Sequence, residues 1–491
     1  MRKTGASLLF SLAVIGLYMI QIDFASSFDF RRFHPGGTTN NDPSPSPTSS
    51  PSPTAVSGQA TDPGVRSGPG AGDPLQGLTA GQLEYFNTGK TEFGTAEDVP
   101  DGLGPRMNLD SCGGCHAQPA AGGTSPAVNP QIAFATKDGG TDTAPSFLRP
   151  NGPVREARFV KNSDGSPDGG VHAIFTITAR TGATGCTLTQ PNFAAQLANN
   201  NVIFRIPTPA FGTGLMEQIP DSAILANQAA GSSQKSTLGI KGRPNFSVSG
   251  RAISGQTNNN GNDGTIARFG WKAQNKSLLL FSAEAYNVEM GITNEIFQTE
   301  RDETANCQFA TTPNDVQNLD AVTPQEATTA IQAFSNFMRF LAPPTPSTDT
   351  PGGATSISNG KQLFSSVGCA LCHTPSMMTG ATMASGSYRQ PSAALSHQQA
   401  NLFSDLLVHN MGDRLADGVT QGLAGPSEFR TAPLWGVGQR VFFLHDGRTS
   451  NLITAIEDHA SPGSEANQVV QRFNALNAQS QQDLINFLRS L

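Results

Sequence analysis

The chain has 491 residues, enough for two or three domains, so core size does not limit the fold. A net charge of -7 and a pI near 5.6 argue against nucleic acid as a partner. Charged residues make up only 14% while Gly and Pro number 52 and 34, which favours long irregular connections over long surface helices.

Arg2 and Lys3 precede an apolar run over residues 7–22, and together they read as an export signal spanning 1–27, with cleavage near Ala25 to Ser27. Left uncleaved, the same run would be an anchor and the one point of membrane contact. Export places the chain in the periplasm or another extracytoplasmic space. Residues 28–75 read as a linker, because Asp42-Pro-Ser-Pro-Ser-Pro-Thr and the residues after it cannot build a core. The folded body starts near Leu78, where Leu78, Leu83, Phe86 and Phe93 suggest a helix leading into Cys112-Gly-Gly-Cys115-His116. From about 130 to 262 helical periodicity fades. The alternation over 171–178 and 202–207 predicts strands in a β-rich insertion. Helices are expected over 271–290 and 323–341. The second has Pro324 in its first turn and Ala327, Ile331, Phe334, Phe337 and Met338 as its buried stripe. Pro343-Pro344 marks a boundary. The remainder carries Cys369-Ala-Leu-Cys372-His373 and closes with a helix over 479–491.

The two C-x-x-C-H motifs carry the chemistry. Two thiols at that spacing can add across the two vinyl groups of a haem, and the histidine that follows is then held beneath the iron. A zinc site would need more Cys or His beside each pair, and neither motif has a second C-x-x-C close by. Cys112, Cys115, Cys369 and Cys372 are therefore candidate attachment points for two covalently bound c-type haems, with His116 and His373 as iron ligands. The expected fold is mainly α. It has two cytochrome c-like haem domains, 76–345 and 346–491, and a β-containing, loop-rich insertion over about 130–262. Cys186 and Cys307 are the thiols left over, and in an oxidising compartment that even remainder suggests one disulfide.

The order of motifs resembles the di-haem cytochrome c peroxidase superfamily over about residues 76–491, nearest its branch of di-haem oxidoreductases without an assigned substrate. The resemblance rests on Asp101-Gly-Leu-Gly-Pro with the first motif, Phe204-Arg-Ile-Pro with Gly212-Thr-Gly-Leu-Met-Glu-Gln-Ile-Pro, and Arg268-Phe-Gly-Trp-Lys-Ala. It continues through Glu289-Met-Gly-Ile-Thr, Ser404-Asp-Leu-Leu-Val-His409-Asn-Met-Gly, Phe429-Arg-Thr-Ala-Pro-Leu-Trp-Gly and Leu444-His445-Asp-Gly-Arg448.

That resemblance implies an N-terminal haem that reacts with peroxide and a C-terminal haem that relays electrons. It places the distal ligand of the second haem at His459, fourteen residues past His445, with Met411 as the rival. Paired with His373, His459 would give a bis-His iron of low potential. Glu289 resembles the superfamily's distal acid, which moves a proton between peroxide oxygens. It stands two residues nearer Trp271 than in the peroxidases, and Phe281 occupies the position of their distal Gln. Trp271 resembles the tryptophan between the two haems. His409 and His445 resemble motif residues that hydrogen-bond to propionates or loop backbone, while His172 reads as an ordinary surface or core histidine. The superfamily's peroxidases also bind calcium between domains; no compact acidic loop marks that ion here, so calcium stays open. The function implied is an exported, peroxidase-like di-haem oxidoreductase. It would draw electrons from a small redox protein or a quinone-linked donor and act on peroxide or another small oxidisable or reducible substrate. The alternative is a non-catalytic di-haem electron carrier.

Overall fold

A computed structural model describes residues 58–68, 70–246, 266–380 and 392–491, with the backbone alone of 252–253 and 256–257. The expected export signal and most of the expected linker lie outside these residues. Among the described residues helices predominate, the strands are two to four residues long, and no helix is long and apolar enough to cross a membrane.

One packing device, used twice, organises the helices. The helix Ala80–Gly94 starts at a capping box: the Thr79 hydroxyl accepts from the Gln82 N–H, and the Gln82 side chain accepts from the Thr79 N–H. This satisfies two N–H groups that a helix start leaves unpaired. The helix crosses Ala330–Phe340, capped in the same way by Thr329 and Gln332. Only glycine fits at the crossing, because a Cβ on Gly89 would lie 2.2 Å from the Ala333 carbonyl oxygen. Phe86, Phe93, Phe334 and Phe337 interlock there, with ring centroids 5.0–6.1 Å apart. Such pairs contribute about 0.5–1.5 kcal/mol each beyond the area they bury. The helix Gly353–Val367 crosses Ala478–Ser490 in the same fashion, where a Cβ on Gly360 would lie 2.0 Å from the Asp483 carbonyl oxygen.

The parallel extends to the ends of both crossing helices. Asn336-Phe-Met-Arg339 and Asn486-Phe-Leu-Arg489 occupy matching places. Each arginine is pinned by a carboxylate, Arg339 by Glu217 at 2.8 Å and Arg489 by Asp62 at 2.7 Å. Each arginine's carbonyl also has a glycine pressed against it, Gly214 in one case and Gly438 in the other. Asp62 lies in the segment expected as linker. Residues around it are instead docked on the body, with the Leu452 N–H donating to Asp62 and the Arg66 N–H to the Gly438 carbonyl.

Several boundaries differ from those expected. The helix read as 271–290 is Leu278–Met290, because the Ser277 hydroxyl takes the Leu280 N–H and caps it there; Trp271 sits in the preceding turn. The helix read as 323–341 starts at Ala330, where the Thr329 cap leaves Pro324 and Ala327 outside it. Ile331, Phe334, Phe337 and Met338 do form its buried face. Leu83 is 39% exposed rather than part of an apolar face. Of the stretch 171–178, only Phe175–Thr176 is a strand, paired with Arg106–Met107. Val202–Arg205 is a strand as expected, antiparallel to Glu156–Phe159. The expected β-rich insertion also carries the short helices Phe193–Ala198, Thr213–Gln218, Asp221–Ala229 and Ser232–Leu238. They are too brief to show a 3.6-residue apolar repeat. Cys186 and Cys307 form a disulfide across 121 residues.

Candidate functional site

Two cavities are each walled by one C-x-x-C-H motif. They enclose about 1610 and 1450 Å³ of unfilled space, mouths included. The first motif occupies the one-turn helix Cys112–Cys115, capped by the Ser111 hydroxyl, which accepts from the Gly114 N–H at 3.1 Å. The second follows the helix Gly353–Val367, with the short turn Cys369–Leu371. Burial pushes the Cys112 and Cys369 thiols up to about 12.

Three histidines share one arrangement. The Nδ1 of His116 lies 2.9 Å from the Gly123 carbonyl oxygen, that of His373 3.0 Å from Phe403 O, and that of His459 2.6 Å from Ala455 O. A carbonyl can only accept, so the Nδ1 of His373 and of His459 carries the proton and Nε2 keeps its lone pair for a metal, while the His116 ring has a second backbone carbonyl, that of Thr208, beside it. His116 lines the N-terminal cavity; His373 and His459 line the C-terminal one together with Met411.

Glu289, on the last turn of Leu278–Met290, lines the N-terminal cavity beside Phe281. Asn108 Nδ2 donates to its carboxylate at 2.6 Å, and the Asn108 backbone N–H donates to its carbonyl at 2.7 Å. Its carboxyl is also hydrogen-bonded to that of Glu156. Burial, then the Glu156 charge, pushes Glu289 well above the usual carboxylate range. Burial works to raise Glu156 too, but its ion pair with Arg158 outweighs this and holds the group below that range. Sequence reasoning missed Glu156 and Arg158. The stretch 154–160 carries Arg155, Glu156 and Arg158 among Val154, Ala157, Phe159 and Val160, a pattern that does not mark any of the three as interior.

Among the described residues, His409 and His445 lack the side-chain hydrogen bonds to backbone expected of them, while His172 is an ordinary half-buried histidine as expected. The ring of His409 is held between two carboxylates, Asp405 Oδ2 at 2.9 Å and Glu465 Oε2 at 2.7 Å, and not by backbone. His445 stacks on Phe429 with centroids 4.3 Å apart, and burial pushes its imidazole down to about 4. Both line the C-terminal cavity. His172 lies outside both cavities, bonded to Asp168 at 2.8 Å and stacked on Phe159.

The cavities share a wall made of Trp271, Arg430, Ala432 and Arg440. The Trp271 indole N–H donates to the Ile206 carbonyl at 2.9 Å, and the Trp271 carbonyl accepts from the Arg430 N–H at 2.9 Å. Both arginines are buried and, among the described residues, neither forms an ion pair; they donate only to the carbonyls of Gly270, Thr431 and Pro433. Burial holds each guanidinium down to about 10. Two adjacent buried cations, with only the Asp405 charge acting on Arg430 and none on Arg440, are unfavourable by several kcal/mol. They become favourable if a ligand brings carboxylates between them. A haem does so with its propionates, and the apolar walls suit its ring, so the residues present fit two haems.

Residues 156–491 match the family described as "Di-haem oxidoreductase, putative peroxidase", and the chain belongs to this family. The matched span holds the second motif, Trp271 and Glu289, while the first motif precedes it. No curated protein matches the chain. Among solved structures it is similar to the hydrazine synthase of Kuenenia stuttgartiensis, at 19% identity over 34% of this chain and 56% of that one, with a TM-score of 0.21. It is also similar to a MauG-like protein associated with microbial copper homeostasis, at 18% identity over 35% and 55%, with a TM-score of 0.23. The chain thus spans little more than half the length of either.

Proposed function

We propose that the protein is an exported, peroxidase-like oxidoreductase in which Cys112, Cys115, Cys369 and Cys372 each hold a haem edge covalently. In this reading the N-terminal cavity is the reactive one and the C-terminal cavity relays electrons. The observation that carries it is the meeting of two motif-walled cavities at Trp271. Bound haem supplies redox-active iron to each cavity. The chain's own residues supply the rest. His116 presents Nε2 to one cavity, and His373 and His459 present theirs to the other. Glu289, kept protonated by burial and by Glu156, holds a proton at the wall where peroxide would enter, and Asn108 fixes its orientation. Trp271 offers an oxidisable ring between the cavities. Electrons would come from a small redox protein or a quinone-linked donor.

The test is the intact mass and the spectrum of purified protein. The mass should exceed the polypeptide by two haem groups that acid–acetone does not extract. Electron paramagnetic resonance should show one high-spin and one low-spin ferric haem, and half-reduced protein should react with peroxide in stopped flow. An apolar Phe281 on the wall of the N-terminal cavity favours a second reading, a pure electron carrier. Two low-spin signals and no peroxide reaction would decide for it.

A further inference from the structure

Lys272 follows Trp271, and its side chain is wholly buried. Its ammonium donates to the carbonyls of Gly425 at 2.8 Å, Glu428 at 3.0 Å and Pro426 at 3.3 Å. It also stands 3.0 Å from Asp417 Oδ1 and 4.1 Å from the centre of the Phe429 ring. A buried ammonium is tolerated only where its donors are met and its charge is balanced. Here one loop, residues 417–428, supplies three carbonyls and one carboxylate, and Asp417 shares that carboxylate between Lys272 and Arg205, whose guanidinium lies 2.6 Å from Oδ2. Oxygen sets of that kind are what hard cations such as calcium take. In this chain the cation is covalently part of the protein.

A second observation concerns what this cation holds in place. Ala273, the next residue, has φ 50°, a conformation that residues with a Cβ seldom adopt. Its turn persists because its neighbours impose it. Asn245 Nδ2 donates to the Lys272 carbonyl at 2.8 Å, and Ala273 packs into a small cluster with Val408 and Ala424. This strained turn presents Trp271 to the wall common to both cavities.

We propose that Lys272 is an internal cation, filling an oxygen cage that would otherwise require a bound ion, and that it acts as a positioning residue fixing Trp271 between the two cavities. The second half of this statement rests on the reading that two haems exchange electrons past Trp271.

The test uses holoprotein of wild type, Lys272→Met and Lys272→Ala. After partial reduction, the rate of electron redistribution between the two haems should fall at least tenfold in Lys272→Met, with both haem spectra unchanged. Lys272→Ala should melt below wild type, and calcium chloride or ethylammonium chloride should restore the difference. Choline chloride at matched ionic strength, whose cation is too large for the cage, should not. If Lys272→Ala folds only in calcium, the cage is supported; if it folds in neither medium, the proposal is overturned. Rescue by choline as well, or by no cation, also overturns it. Redistribution at the wild-type rate in Lys272→Met overturns the positioning role. Absence of redistribution in wild type would instead strike the two-haem relay, and the melting series would decide the cage by itself.

Discussion

Glu156 and Glu289, one on a strand and one on a helix, join carboxyl to carboxyl at the wall of the N-terminal cavity. Two buried carboxyls in contact cannot both ionise cheaply, so their values separate. Glu156, paired with Arg158, takes the charge; Glu289 takes the proton. Glu289→Gln should slow the peroxide reaction by about 10²–10⁴-fold, the usual worth of a positioned acid–base. Glu156→Gln removes the neighbouring charge that raises Glu289, so Glu289 should lose its proton at lower pH. The alkaline limb of the rate profile should then move toward acid. A profile that stays in place in Glu156→Gln would dissolve the coupling.

His459 and His373 line one cavity, each with Nδ1 committed to a backbone carbonyl. His459→Met should raise the reduction potential of the C-terminal haem, since thioether ligation favours ferrous iron more than imidazole does. Spectroelectrochemical titration reads the shift. An unchanged potential and low-spin spectrum in His459→Ala would hand the position to Met411, which lines the same cavity.

What was legible in the sequence was whatever chemistry demands at fixed spacing. Cys112 to His116 and Cys369 to His373 are fixed-spacing patterns that a sequence displays directly, and each walls one of the two cavities. The pairing of Cys186 with Cys307 followed from the even remainder, and the bond is present. Helix starts were harder. Ser277 and Thr329 are single polar residues whose capping role depends on side-chain rotamer, so apolar periodicity alone ran the helices several residues too far upstream. Buried charge was hardest of all. Glu156 and Arg158 alternate with Ala157 and Phe159 as a solvent-facing strand would, and only pairing with Val202–Arg205 and burial under the Leu278–Met290 helix make them interior. Arg430 and Arg440 were hidden for the same reason, since a missing counter-ion has no sequence signature.

The disulfide ties residues 121 apart in sequence. A loop of that order, once closed, removes about 4–5 kcal/mol of chain entropy from the unfolded state, and losses of 2–5 kcal/mol are typical when such bonds are removed. Cys186→Ser with Cys307→Ser should lower the melting temperature by roughly 5 °C or more, taking ~2–4 °C per kcal/mol for a domain of 150–250 residues. Calorimetry of holoprotein with both haems in place measures it. Equal melting temperatures would show that the bond constrains nothing in the unfolded chain.

Glu97 makes stability itself pH-dependent. Burial, then the neighbouring Glu92 charge, raises its carboxyl to about 7, although the Tyr286 hydroxyl donates to it at 3.2 Å. A carboxyl whose folded value lies above its unfolded one binds more protons in the native state. Its contribution to stability is therefore complete below about pH 4.5, the unfolded value, and is lost as pH rises through about 7. Glu97→Gln keeps an acceptor for Tyr286 and cannot ionise. It should melt with wild type near pH 4.5 and above it at pH 8.5. Because Glu97 is partly solvated, the gain should be on the order of a few degrees at most. Melting curves across that range test the sign directly: a variant that gains stability on acidification relative to wild type would mean that Glu97 is ionised and favourably paired in the native protein.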